Sequence, residues 1–200
     1  MMYYNPITQD IKTHTELCII NNAYLAQNIQ YFNGYHRVYK KDKPIYTEYQ
    51  TITENPIQLI DGKYCITYTL SYKPLDKIKE IRYKQIEDLF EEASSSAFIT
   101  SSLGFRVDAN EIANRNVDGL IKVLKSYGRE EELFRDYDNN FHNVTLNDLE
   151  KMQLEIIENG QNLYKQKWKF LNDISLLTNE EDVVSYKIIF NNMDFLNDNK

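Results

Sequence analysis

The spacing of the apolar residues changes at Pro74, and this change limits the folds that the chain can adopt. Before Pro74, apolar and polar side chains alternate, most clearly from 64 to 72. A period of two is typical of a strand with one buried face. After Pro74, apolar residues recur at every third or fourth position, which is typical of amphipathic helices. The sequence therefore predicts an α+β protein, with a β-rich region over 1–74 and a mainly helical domain over 75–200.

The N-terminal region is predicted to form a small antiparallel sheet rich in tyrosine. Asp61-Gly62 supplies the positive φ angles of a tight turn, so the apolar run 57–60 and the alternating run 64–72 should form a hairpin. Residues 10–30 are ambiguous, because 17–20 fits a strand and 23–29 fits a helical turn. Two further strands are predicted, at 31–39 and 45–52.

The second region is predicted to hold four helices and one or two β-hairpins. A hairpin is expected over 98–108, and a turn at 138–140 should join two short extended pieces. Thr145 with Asp148, and Thr178 with Glu181, have the spacing of helix-starting capping boxes. Gly128 is expected to be the residue that directly follows the end of a helix, a position that favours glycine. Gly160 lies within the apolar stripe of the longest helix, where a close helix crossing would compensate for its low helix propensity. The helices are predicted at 75–93, 109–127, 145 to about 174, and 178 to about 190, with a polar, fraying tail from about 191.

Composition excludes several classes of function. The net charge of -7 repels phosphate backbones, and the longest basic cluster is only Lys40, Lys41 and Lys43, so nucleic-acid binding is not expected. No apolar run reaches the roughly 18 residues of a membrane span, and the first residues lack the pattern of a signal peptide. Cys18 and Cys65 are expected to be free thiols, although the sequence alone leaves a disulfide between them open.

The search for catalytic and metal-binding motifs gives little. Neither cysteine lies in a C-x-x-C pair and the histidines are isolated, so no metal, cofactor or catalytic residue is predicted. Two minor alternatives stay open. Cys65 and His36 could meet in the fold as a nucleophile and its base. Asp136, Asp138 and Asn139 could offer oxygen ligands to calcium, although an EF-hand loop is absent.

The order of motifs from 78 to 190 resembles a family found in tail-fibre and tail-fibre-assembly proteins of phages and prophages, the domain of unknown function numbered 4376. One matching piece is the hairpin at 98–108 that runs through an acidic turn into a helix. A second is Phe134, followed by Asp138-Asn139 and the helix start Val144-Thr145-Leu146. The third piece is carried by Tyr164, Lys167-Trp168, Ile174 and Thr178. The N-terminal region is also similar to the start of tail-assembly proteins, at Tyr3-Tyr4-Asn5-Pro6, Pro44-x-Tyr46 and Asp61-Gly62-Lys63-Tyr64.

The resemblance implies an association with phage tails and no particular reaction, since no catalytic residues are established for that family. It implies a non-catalytic protein that contacts a tail-fibre or other tail protein, either as an assembly chaperone or as a structural piece, in the host cytoplasm or the virion tail. The alternative is a carbohydrate-binding receptor module of a fibre. Because tyrosine is enriched at interfaces, Tyr35 and Tyr46 are predicted contacts for a partner or a glycan. Self-association through the longest helix is also open.

Overall fold

The computed structural model describes residues 1–22 and 24–196. The chain divides into two compact units, Met1–Lys73 and Pro74–Lys200. Five helices and twelve strands lie within the described residues, which confirms the predicted α+β class. Within the same residues, no helix is both long enough and apolar enough to cross a bilayer.

The first unit is built mainly from strands. Six of its eight strands form one sheet in the order β2-β1-β4-β7-β6, with β3 also paired to β4, while β5 and β8 form a separate antiparallel pair. The sheet is mostly antiparallel, but β4 and β7 run parallel, which alternation along a single strand does not reveal. The elements are β1 (Met2–Asn5), β2 (Asp10–Thr13), α1 (His14–Ile20), β3 (Tyr31–Phe32), β4 (Tyr35–Lys40), β5 (Gln50–Glu54), β6 (Gln58–Ile60), β7 (Lys63–Ile66) and β8 (Tyr68–Tyr72).

Two predicted strands are each divided in the structure. The prediction of one strand over 31–39 is wrong because Asn33 and Gly34 both have positive φ angles, 47° and 84°, so that β3 folds back on β4. The prediction over 64–72 is wrong at Thr67, whose carbonyl accepts a hydrogen bond from the Asn55 N–H at 2.9 Å. There β7 ends in one sheet and β8 begins in another, while the alternation of side chains continues across the break.

The structure also decides the ambiguous stretch 10–30 and shifts one predicted strand. Residues 17–20 form part of α1 rather than a strand, because Thr13 and Glu16 make a reciprocal capping box at its start. Over 24–29 there is one turn and no helix, and Ala23 lies outside the described residues. The strand predicted over 45–52 begins only at Gln50.

The core of the first unit lies between the sheet and α1. Tyr3, Leu17 and Leu25 are buried there. The ring of Tyr3 is fully covered, and its hydroxyl donates to the carbonyl oxygen of Ile29 at 3.0 Å. A buried tyrosine with a satisfied hydroxyl is a structural residue.

The second unit packs two hairpins against long helices. The helix starting near Leu75, both hairpins, the Thr145–Asp148 capping box and the left-handed Gly128 after α3 are as predicted. Its buried core is shared by α3, α4 and both hairpins. The elements are α2 (Leu75–Ser95), β9 (Phe98–Thr100), β10 (Arg106–Asp108), α3 (Glu111–Tyr127), β11 (Glu131–Arg135), β12 (Phe141–Thr145), α4 (Leu146–Leu176) and α5 (Glu180–Ser185).

The end of this unit differs from the prediction. Asn179, rather than Thr178, caps α5 through the N–H of Asp182, and the helix ends at Ser185 instead of continuing to 190. The prediction that the chain frays from 191 is wrong for 191–196. The buried amide of Asn159 on α4 accepts from the Met193 N–H at 2.8 Å, and Phe195 joins the core. Residues 197–200 lie outside the described part.

Candidate partner-binding groove

The second unit contains an open, mainly apolar groove between α2, α3 and α4. It has a volume of about 580 Å³, within the range of roughly 300–1,000 Å³ typical of ligand pockets. Apolar side chains of all three helices line it, together with a few polar groups at its edges. The lining residues are Phe90, Glu91, Ser94, Ser95, Ala109, Asn110, Glu111, Ile112, Asn114, Ile156, Ile157, Gly160, Gln161, Leu163 and Tyr164.

The end wall of the groove is fixed by the connection between α2 and α3. Ser96, as the C-cap residue, closes α2 with a backbone bond to Glu92. Asn110 then joins the two helices, because its Oδ1 accepts from the Ala113 N–H at 2.9 Å while its Nδ2 donates to the Ser95 carbonyl at 3.1 Å. Both the oxygen and the nitrogen of this side-chain amide are therefore hydrogen-bonded, and α3 begins at a defined position beside the end of α2.

Gly160 forms part of the floor of the groove. A Cβ built on Gly160 has no described atom within 4 Å apart from the backbone of its own helix. No described helix of this unit therefore crosses closely there, and the predicted crossing is wrong. A glycine inside a helix is unfavourable by about 1 kcal/mol relative to alanine. Within the described chain, nothing offsets this cost by close packing, and the missing side chain instead deepens the groove.

An exposed aromatic line extends from the groove along α4. The ring of Phe90 lies 4.8 Å from that of Tyr164, and Tyr164 lies 5.9 Å from Trp168. Tyr164 and Trp168 are 44% and 57% exposed. With Ile157 and Ile112, also exposed, they form an apolar surface of the kind that marks an interaction site.

The described lining of the groove carries two negative charges and one unpaired hydrogen-bond acceptor. Glu91 and Glu111 are exposed, and neither forms a salt bridge with a described residue. The Oδ1 atom of Asn114 is buried and has no hydrogen-bond partner among the described residues. Leaving a buried acceptor unpaired costs about 1–3 kcal/mol, so this amide would gain from an N–H donor supplied by an occupant.

The residues predicted as contacts lie elsewhere, in the first unit. Tyr35 packs against the Tyr3 core and donates its hydroxyl proton to Asp10 at 2.8 Å. This hydrogen bond raises the pKa of Tyr35. Tyr46 is 54% exposed on a segment outside the strands. Neither residue belongs to the groove.

The sequence left open a pair of Cys65 with His36, but the structure separates these two residues. The ring of His36 packs against Tyr64 at 4.9 Å. Since consecutive strand residues point to opposite faces, Cys65 lies on the other side of the sheet. The thiol of Cys18 instead lies 3.8 Å from Nδ1 of His14, one helical turn away. Cys18 and Cys65 are both free thiols.

The oxygen groups considered for calcium are already engaged. Asp136 is buried and accepts from His142 Nε2 and from the Asn140 N–H, each at 2.8 Å. Burial opposes ionisation of Asp136, but these hydrogen bonds outweigh it and lower its pKa to about 2. Asp138 forms a salt bridge with Arg106. Among the described residues, no group of three or more histidine, cysteine or carboxylate side chains is arranged to hold a metal ion.

The groove was missed because its residues come from three separated segments. A sequence signal does exist, since Ile157, Tyr164 and Trp168 form a second apolar line on α4 beside the core stripe, next to Gly160.

Comparison of the chain with protein-family models, with curated proteins and with solved structures found no match.

Proposed function

We propose that this protein is a non-catalytic binding protein that assists the assembly of a phage or prophage tail fibre, and that it holds a segment of the fibre protein in the groove between α2, α3 and α4. The observation that supports the groove as the contact is its open apolar floor at Gly160, continued by the exposed rings of Tyr164 and Trp168. Helices that present an apolar groove commonly bind a partner segment through a few anchor side chains.

The fibre context rests on the resemblance of the motifs to tail-fibre-assembly proteins. Two of the matching pieces have structural roles, because 98–108 forms the hairpin β9–β10 and Val144-Thr145-Leu146 provides the capped start of α4. The turn of the hairpin is hydrogen-bonded to α4 through Glu155. On this proposal the protein acts in the host cytoplasm or in the virion tail.

Co-expression with the candidate fibre protein encoded beside it tests the proposal. The yield of soluble, trimeric fibre is measured by size exclusion with light scattering, for the wild type, Gly160→Leu and Gly119→Leu. Gly119 is a matched control, since it is a helical glycine on α3 with no atom within 4 Å of its added Cβ and it does not line the groove. We expect soluble fibre with the wild type and with G119L, and little with G160L.

Two results would contradict the proposal. One is a fibre that folds without the protein and elutes apart from it. The other is normal fibre yield with G160L, provided that circular dichroism shows the variant to be folded.

A second candidate, a carbohydrate-binding module, is favoured by an aromatic row on one face of the six-stranded sheet. Tyr31, His36, Tyr64 and Tyr4 follow one another with ring centroids 4.8, 4.9 and 5.4 Å apart. Sugar rings stack on such faces. Saturable binding of host polysaccharide that is lost in Tyr64→Ala would favour this candidate. Loss in Tyr46→Ala instead would place the glycan on the irregular segment outside the sheet.

A further inference from the structure

The negative charge of the protein is concentrated in the unit that contains the groove. Pro74–Lys200 carries 24 acidic and 16 basic side chains, whereas Met1–Lys73 carries 6 and 7. Among the described residues that line the groove, Glu91 and Glu111 carry charge and no lysine or arginine is present. A cation brought between them would meet two carboxylates that have no salt-bridge partner among the described residues.

The apolar part of the groove has room for a large side chain. Gly160 leaves its floor open, and Phe90 and Tyr164 offer ring surfaces on one side of it. Aromatic rings that insert between such surfaces gain both burial and ring contacts. Asn114 belongs to the same lining, and its Oδ1 atom has no hydrogen-bond partner among the described residues.

We infer that the groove selects a partner segment in which a large aromatic or aliphatic residue is followed by lysine or arginine. The anchor fills the space above Gly160, the cation lies between Glu91 and Glu111, and an N–H of the segment pairs with Asn114. This inference rests on the proposed function, whose partner it describes chemically. Acidic segments should bind more weakly, because they would be repelled by Glu91 and Glu111.

Matched dipeptides test this selection with the full-length, ¹⁵N-labelled protein. The probes are Ac-Trp-Lys-NH₂, Ac-Trp-Glu-NH₂ and Ac-Ala-Lys-NH₂, and the readout is the amide shift of Gly160 and Asn114 on titration. We expect saturable shifts with Trp-Lys, at least about fivefold weaker binding of Trp-Glu, which is the scale of two exposed ion pairs, and no comparable shifts with Ala-Lys. High salt should reduce the preference, since exposed charges are screened.

Charge variants sharpen the experiment. Glu91→Gln combined with Glu111→Gln should bring the Trp-Lys and Trp-Glu affinities together, whereas Glu92→Gln, the exposed neighbour outside the groove, should not. Equal binding of the two tryptophan probes by the wild type would overturn the inference, as would an absence of shifts at Gly160 up to the solubility limit of Trp-Lys.

A second copy of the chain is the competing occupant, because α4 itself carries the exposed pair Trp168-Lys169. If Gly160 shifts on dilution of the protein alone, a second copy fills the groove and the inference is overturned. None of these outcomes decides the fibre assay, so failure of the selection and failure of the proposed function remain distinguishable.

Discussion

The buried carboxylate of Asp136 accepts a hydrogen bond from the ring Nε2 of His142 at 2.8 Å. His142 in turn stacks on Phe105 with a ring separation of 4.0 Å. These contacts thus link the turn of β11–β12 to the turn of β9–β10. They also make the stability of this part of the unit dependent on pH.

Acid should destabilise the protein through Asp136. Its pKa of about 2 in the folded state lies below the ordinary value of 3.8, so the unfolded chain binds a proton first as the pH falls. The contribution is complete above about pH 4 and is lost as the pH falls toward 2. Urea unfolding between pH 7 and 2 should show a shallower loss of stability in this range for Asp136→Asn than for the wild type. Identical slopes for D136N and the wild type would refute this.

Glu155 should be essential for holding the turn of β9–β10 against α4. Its buried carboxylate accepts from the Ser101 hydroxyl at 2.6 Å, from the Ser102 N–H at 3.2 Å and from the Ser102 hydroxyl. Removing it leaves these donors without an acceptor, so Glu155→Ala should lower the free energy of unfolding by about 3 kcal/mol. The exposed Glu158, one turn away, provides the control, and its alanine variant should change stability by less than about 0.5 kcal/mol. Equal effects in the two variants would show that the buried contacts contribute little.

Asn159 should anchor the segment that follows α5. Its side chain is fully buried, accepts from the Met193 N–H and donates to the Asn192 amide oxygen at 3.1 Å. Asn159→Ala should cost about 2 kcal/mol and speed hydrogen exchange at the Met193 amide. Asn162→Ala removes only an exposed bond to Asn191 and should leave that exchange rate nearly unchanged. Unaltered protection of Met193 in N159A would mean that the segment is held by other contacts.

Gly160→Ala should stabilise the protein. The added methyl group meets no described atom within 4 Å apart from the backbone of its own helix, so the gain in helix propensity, about 0.5–1 kcal/mol, is not offset by a clash. Gly119→Ala should give a similar gain in thermal or urea unfolding. A loss of stability in G160A alone would indicate a close contact at Gly160 and would argue against an open groove.

Local signals predicted much of the second unit and less of the first. The capping box of Thr145 with Asp148 and the left-handed Gly128 depend on neighbouring residues, and both were found where expected. The break at Thr67 and the parallel pairing of β4 with β7 depend on strands distant in sequence, so the alternation of side chains could not show them.

The segment after α5 and the groove also depend on residues that are distant in sequence, which local signals do not reveal. Polar residues after 190 read as a fraying tail, but Asn159, far away in sequence, provides the buried acceptor that orders Met193. In the same way, Gly160 was recognised as unusual, yet only the positions of α2 and α3 show that it opens a groove.

Hydrogen–deuterium exchange of the protein, alone and with the candidate fibre protein, tests the central claim most directly. If the groove holds the fibre segment, added protection should be confined mainly to the ends of its walls and floor, at 90–95, 109–114 and 156–164. Protection confined to 1–73, or no change in the groove despite a stable complex, would contradict the account.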